Sequence, residues 1–453
     1  MENTSDSRTA RRGGVRELLR VAGPLAFAQM AGAVNHVCDR YFLAQSGDSA
    51  LEASLPALMV SAMVTTIFTA TVSYSATFVA QAHGGGRARE AVKAFGQGLW
   101  LAALALPLFA LLVPVSFGIV NLAGHAPDVA AAEKSFIAIY TPSLAVTMLN
   151  AVLGGLITGQ GRTRFVSFAS IIGCLSNLAL NPVLIFGWGP IPAMGITGAA
   201  IASAAAPVVT AVMLAFAAFR DPLLRAHRDA LRPDAKVIMR ILRFGLPFGV
   251  ASFTACVAFT MFTLAIGRLS GEASAASNTI FAVNNILYLI LLATGDGVCI
   301  LTGRHHGAGD DEAARRTFRS GLAIVATAFV VYFAVLLPGS GSVMDLFRGA
   351  ESSFDAASYR EIGRNLIFIL FFREIAEATL YVVYGALRGV GDTRYAMFAQ
   401  LVCSLLWLPT IFVVYRLTGS VYALWATTPV YVGLTVTMLV LRWRSGKWRP
   451  IRL

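Results

Sequence analysis

Four acidic residues interrupt stretches that are otherwise apolar: Asp39, Asp296, Glu374 and Glu377. A charge near the middle of a membrane-crossing helix costs about 2.5–3.5 kcal/mol on insertion scales, so each is a candidate for chemistry. Asn35 and His36 precede Asp39 by four and three residues, which places all three on one helical face. Two readings stand for Asp39: a solvated helix end with Arg40 pointing outward beside it, or a titratable carboxylate held within the chain's first half. Asn177 and Asn181 are also four apart, and Pro182 follows them. Proline withholds a backbone N–H and frees a carbonyl on the preceding turn. Carbonyls, amides and a carboxylate suit a hard cation such as Na⁺, and they suit a protonation switch equally well. Alone, paired asparagines also serve as hydrogen-bonding glue between membrane helices. Glu374 and Glu377 are three apart, and Arg373 lies four before Glu377. An intrahelical salt bridge is one reading of this trio. Two acids against one Arg nevertheless leave a surplus negative charge, which pairs with a cationic substrate or takes up a proton. Asp296 falls late in its apolar stretch and reads as an interfacial, water-exposed carboxylate.

The elements that position these residues follow from composition. The chain has 453 residues, and only 13% are charged. Soluble domains carry about 25%, so two or three such domains would lack the charge to cover their surfaces. A soluble enzyme, a disordered chain and a disulfide-stapled scaffold are excluded, leaving an all-α polytopic membrane protein. Cys38, Cys174, Cys256, Cys299 and Cys403 are scattered singly, so neither a disulfide framework nor a metal centre is indicated. The pair His305–His306 sits in a glycine-rich segment and reads as a solvated loop, not a metal site.

A helix that crosses the hydrocarbon needs about 20 mostly apolar residues. Stretches free of Asp, Glu, Lys and Arg run over 21–38, 53–86, 94–127, 135–161, 165–219, 244–267, 273–295, 320–344, 395–415 and 417–441. The longest divides at the turn-rich Gly187–Pro192, and 361–388 is apolar apart from Arg373, Glu374 and Glu377. Twelve spans result. With the N-terminus in the cytoplasm, the inside segments 1–20, 83–93, 160–164, 219–243, 302–319, 388–394 and 442–453 hold 28 of the 36 Lys and Arg. This is the positive-inside pattern, so both termini are expected to be cytoplasmic. The net charge of +12 then needs no nucleic-acid partner. Residues 1–20 hold five Arg and no apolar core, so they read as a cytoplasmic tail and not a cleaved signal peptide.

The two halves resemble each other. Arg20–Pro24 answers Arg243–Pro247, with both prolines opening a span, and Ala82–Gly86 answers His305–Gly309. Gly159-Gln-Gly-Arg-Thr-Arg164 answers Gly389-Val-Gly-Asp-Thr-Arg394. Six spans per half is an even number, so two six-helix bundles are expected around a pseudo-twofold axis along the membrane normal, with the substrate site near the repeat interface. The expected organisation is a tail at 1–20, an N-lobe at 21–219, a basic linker at 220–243, a C-lobe at 244–441 and a basic tail at 442–453.

Leu387-Arg-Gly-Val-Gly-Asp-Thr-Arg394, Gly198-Ala-Ala-Ile-Ala-Ser203 and Asn177-Leu-Ala-Leu-Asn181-Pro-Val-Leu-Ile-Phe-Gly187 resemble the multidrug and toxic compound extrusion (MATE) family. The resemblance covers about residues 20–440. It implies a cation-coupled antiporter whose two six-helix bundles face a V-shaped central cavity. The family's N-lobe cation site is an Asp on the first span, an Asn and an Asp on the fifth and a Thr on the sixth. Asp39 and Asn177 match it, Asn181 stands where the second Asp is usual, and Ser203 stands where the Thr is usual. The site keeps its oxygen ligands and loses one negative charge, which implies H⁺ in preference to Na⁺ and makes Asp39 the proton carrier. Glu377 is similar in position to a C-lobe acid of some members, which also carry a Glu on the seventh span, where this chain has Ala255.

The expected function is therefore a bacterial inner-membrane antiporter that exports amphipathic, cationic organic compounds in exchange for H⁺, with Na⁺ the less favoured ion. Its partners are a small organic substrate and the lipid bilayer; it is expected to be a monomer without cofactors and without a metal beyond Na⁺ at the N-lobe site. The 29 Phe and 12 Met would suit an adaptable cavity, although most must face lipid or core. A lipid-linked precursor flippase of the same superfamily is the alternative. It would want a basic cavity, whereas the intramembrane charges are mainly acidic. A membrane-bound enzyme is disfavoured: His36 and Asp39 fall one residue short of HxxxD, and no hydrolase or Walker constellation occurs.

Overall fold

Apolar runs of this length satisfy their backbone polar groups in lipid by forming helices. The structure is a computed structural model that describes residues 12–347 and 355–451, and every regular element among them is helical. In chain order these are α1 (Val15–Ser46), α2 (Asp48–Ser73), α3 (Ser75–Gly84), α4 (Ala88–Ala123), α5 (Pro127–Gly159), α6 (Thr163–Phe186), α7 (Gly195–Arg220) and α8 (Pro222–Ala226). There follow a 3₁₀ turn at Arg228–Leu231, then α9 (Ala235–Gly267), α10 (Gly271–Gly307), α11 (Asp311–Leu336) and α12 (Ser340–Phe347). The last three are α13 (Ala356–Val390), α14 (Thr393–Thr418) and α15 (Val421–Arg444). Most of the expected 1–20 tail lies outside the described residues.

Ten of these segments are long and apolar enough to cross a membrane, counting α2 and α3 as one run over Glu52–Gly84. Helices α1 and α13 have 32 and 35 residues and ample length; Gln29, Asn35 and His36 lower the hydropathy of α1, and Arg373, Glu374 and Glu377 interrupt α13. In α10, 61% of the apolar window is buried, against 22–39% in the other nine. It is thus the most buried of the ten.

The chain forms two compact units: Phe27–Ser252, and the residues up to Ala26 together with those from Phe253 onward. The divisions fall inside α1 and α9, two and five residues beyond Pro24 and Pro247 respectively. These prolines do not open their spans. They sit well inside longer helices, because a membrane helix tolerates proline where neighbouring groups take up the freed carbonyl. The first turns of α1 place Leu18, Val21 and Ala22 in the core of the second unit, with Leu291, Val298 and Leu301. The first turns of α9 place Ile241 in the core of the first, with Phe95 and Leu153.

The loops are shorter than the charge pattern suggests. Only 308–310 separate α10 from α11, because arginines can occupy the last turn of a helix, where its dipole favours cations. His305 and His306 are accordingly not in a solvated loop: they lie in the last turn of α10, 6% and 0% exposed. The break expected at Gly187–Pro192 is present as a turn in which Trp188 and Ile191 exchange backbone hydrogen bonds at 3.1 Å.

Candidate functional site

In the first unit, helix α1 continues seven residues beyond Asp39, so the carboxylate is in helix and not at a frayed end. It is 9% exposed, which removes the solvated-end reading. Opposite it stand Asn177 and Asn181 on α6, both 0% exposed. Asn181 Nδ2 donates to Asp39 Oδ1 at 2.5 Å and to Asn177 Oδ1 at 2.8 Å, and Asn177 Nδ2 donates to Ser203 Oγ at 3.4 Å. The four residues expected to share a site therefore form one hydrogen-bonded chain across α1, α6 and α7. One atom in it is unmatched: Asn181 Oδ1 is buried with no partner among the described residues.

The packing of α6 against α7 sets this geometry. A Cβ on Gly198 would lie 2.6 Å from the Leu184 carbonyl carbon, and one on Gly173 would lie 2.8 Å from the Ala206 carbonyl oxygen. These glycines bring the two backbones together above and below the Asn177–Ser203 contact, as small residues do between membrane helices. Pro207, inside α7, leaves the Ser203 carbonyl without its usual helical donor, which adds an oxygen beside the Ser203 hydroxyl. The sequence reading counted Pro182 and overlooked Pro207. Asn35 is half-buried and His36 exposed; neither hydrogen-bonds to Asp39 among the described residues, and His36 acts on it only at electrostatic range.

In the second unit, Arg373 pairs with both acids, at 2.8 Å with Glu374 and in a closer contact with Glu377. Glu374 is 0% exposed and Glu377 7%. The intrahelical salt bridge is present, and one guanidinium serves two carboxylates. Asn284 of α10 donates Nδ2 to Glu374 Oε1 at 3.1 Å. Glu374 Oε2, Asn284 Oδ1 and the Tyr332 hydroxyl are buried without hydrogen-bond partners among the described residues. The register of α10 on α13 explains the meeting. Asn284 meets Glu374, Gly295 meets Gly385 and Cys299 meets Gly389, each pair 90 residues apart, so the two helices run parallel. A Cβ on Gly385 would lie 3.0 Å from the Gly295 carbonyl carbon. Asn284 and Tyr332 escaped the sequence reading because a lone Asn or Tyr in an apolar span carries no spacing signal.

Asp296 keeps a partly exposed side chain, 31% accessible, and is also ion-paired. It accepts from Arg388 Nη2 at 2.9 Å, and Arg388 Nε reaches Cys299 Sγ at 3.2 Å. Arg388 belongs to the last turn of α13, not to a loop, and its side chain is 24% exposed. No group of three or more His, Cys, Asp or Glu suited to a metal occurs among the described residues.

The repeated motif also carries a charge pair at each copy. Arg162 pairs with Asp221 at 3.1 Å, and Asp392 pairs with Arg442 at 2.6 Å. Both acids are 4% exposed. The same motif position is Arg in one half and Asp in the other, and its partner beyond or in the last helix of that half has the opposite sign.

Comparison with known proteins agrees with the repeat. The MatE family model matches twice, over residues 24–183 and 247–413, once per half and beginning at each of the two prolines. A Deinococcus radiodurans protein named as the multidrug resistance protein NorM is 28% identical over 86% of this chain and 85% of its own length. A Pseudomonas aeruginosa protein of the same name is 27% identical over 96% and 91%. A solved structure described as the outward-facing conformation of a multidrug resistance MATE family transporter superposes with a TM-score of 0.86. It shares 16% identity and covers 97% of both chains. With two family matches that together take in most of its length, the chain belongs to the MatE family, a family of multi-pass membrane transporters and not of enzymes.

Proposed function

We propose that the protein exports amphipathic organic cations across a bacterial inner membrane in exchange for H⁺, using Asp39 as the coupling carboxylate. Relatives carry the name of multidrug resistance proteins, which supports the efflux reading. In this reading α1 and α13 join the ten apolar segments as the first and tenth of twelve spans, with both termini in the cytoplasm.

The observation that carries the choice of ion is the unmatched oxygen of Asn181. Ionised Asp39 can only accept, and Asn181 gives it an N–H. A protonated Asp39 must donate, and the idle Asn181 Oδ1 supplies an acceptor once the amide turns over. Asn177 then turns in the same sense, offering N–H to Asn181 and its own oxygen to the Ser203 hydroxyl. Protonation on α1 is thereby transmitted to α7 through two amide flips, after which the Asn181 NH2 occupies the place its idle oxygen held. An Asp at 181 could not do this while ionised, since it has no N–H to give. Exchange further requires that proton and substrate favour opposite states of the protein.

Counterflow in proteoliposomes tests the reading: a fluorescent organic cation, with an imposed pH gradient and then an imposed Na⁺ gradient. Uptake driven by the pH gradient alone is expected. Uptake that requires Na⁺, or no movement of any organic cation under either gradient, overturns it.

A further inference from the structure

We propose that the C-terminal segment is a pH-sensitive clasp on the cytoplasmic end of α10, held by a doubly protonated His306. Gly446, at φ 68°, turns the chain back after α15. Trp448 then stacks on Trp443 with ring centroids 4.5 Å apart and planes 7° apart, and its indole N–H donates to the Trp443 carbonyl at 2.9 Å. Trp448 is 0% exposed and meets the His306 ring edge-on at 5.4 Å.

The histidine has an oxygen at each nitrogen. His306 Nδ1 lies 2.7 Å from Asp311 Oδ1, and Nε2 lies 2.7 Å from the Ile451 carbonyl oxygen. A carbonyl only accepts, and so does a carboxylate. Both ring nitrogens must therefore carry hydrogen, which is the imidazolium form. A neutral ring of either tautomer would set a lone pair against an oxygen at 2.7 Å in a buried site. The surrounding charges are mixed. On α10 are Arg304 and His305, the latter 3.6 Å from Glu17 of α1; Asp310 caps α11, and Asp311 and Arg315 are on it; on the clasp itself are Lys447 and Arg449.

Loss of a proton from His306 thus undoes one of two anchors and releases Ile451 with Trp448. Histidine is the side chain suited to such a change near neutral pH. The inference is independent of what the protein transports.

The test uses the full-length protein in detergent, labelled with 5-fluorotryptophan, with the Trp448 ¹⁹F resonance assigned by Trp448→Phe. As pH is raised, the wild-type signal is expected to pass from a buried to a solvent-exposed position. His306→Phe keeps the ring and loses both N–H groups, so it gives the exposed signal throughout. Asp311→Asn has the opposite effect: its amide donates to a neutral Nδ1, Nε2 keeps its hydrogen for Ile451, and the signal stays buried throughout. A wild-type signal that does not move, or one that moves alike in wild type and Asp311→Asn, overturns the clasp. The second comparison holds even where His306→Phe does not fold.

Discussion

In the proposed exchange, Asn181 sets which ion the first unit uses. Its N–H groups hold Asp39 and Asn177, while its buried oxygen has no donor among the described residues. Asn181→Asp restores a second carboxylate beside Asp39 and three further oxygen ligands, a set that suits Na⁺. The variant is expected to show counterflow driven by a Na⁺ gradient that the wild type lacks. In the second unit, Asn284→Leu removes the neutral donor to Glu374 and leaves that oxygen to Arg373 alone. It is expected to lower stability by about 1–3 kcal/mol, read as an earlier unfolding midpoint in detergent. Asp39, Asn177 and Asn181 were legible from a lone acid in an apolar run and a four-residue spacing of asparagines, and Ser203 from the family resemblance. His306 was not. Its glycine-rich surroundings signal a turn, and nothing in the sequence tells that a segment 145 residues later returns to cover it.

Between helices, small residues and charge pairs do the positioning. Gly385 lets α13 meet α10 at Gly295, the contact that fixes the register of Asn284 on Glu374. Gly385→Leu overfills that contact and is expected to cost about 1–3 kcal/mol, with transport falling as Glu374 loses its partner. The inverted pairs Arg162–Asp221 and Asp392–Arg442 each tie a repeated turn to the end of its own half. Asp392→Arg strands two cations together and is expected to destabilise. Adding Arg442→Asp rebuilds the pair with reversed sign and is expected to recover most of the lost thermal stability. Linker contacts are milder. Hydrogen bonds from Arg89 and Lys93 hold the Asp229 and Asp234 carboxyls below their usual range. Their stabilisation is present above the ordinary carboxylate pKa and lost only as pH falls through the lowered values. Helix existence was readable from apolar runs, whereas helix ends were not. Arginines and prolines that look like boundaries in sequence sit inside α1, α9 and α13, since burial and neighbouring groups offset the local signals.

Across the molecule, one scaffold is used twice and specialised differently. The motifs recur near constant offsets, and the family match recurs with them, yet the acids do not: none of Asp39, Asp296, Glu374 and Glu377 has an acidic counterpart at its repeat position. Repetition made the architecture readable from sequence. The division of the chain into units inside α1 and α9 was not, because no composition change marks a point within a continuous helix. Specialisation makes Asp39 the central claim, and competition between proton and substrate is its most direct consequence. The decisive measurement is proton release from purified protein in weakly buffered detergent at mildly acidic pH, on addition of a saturating organic cation. Wild type is expected to release about one proton per chain in excess of that from Asp39→Asn, where the coupling carboxyl is gone. No release from wild type, or an equal release from Asp39→Asn, would contradict the account.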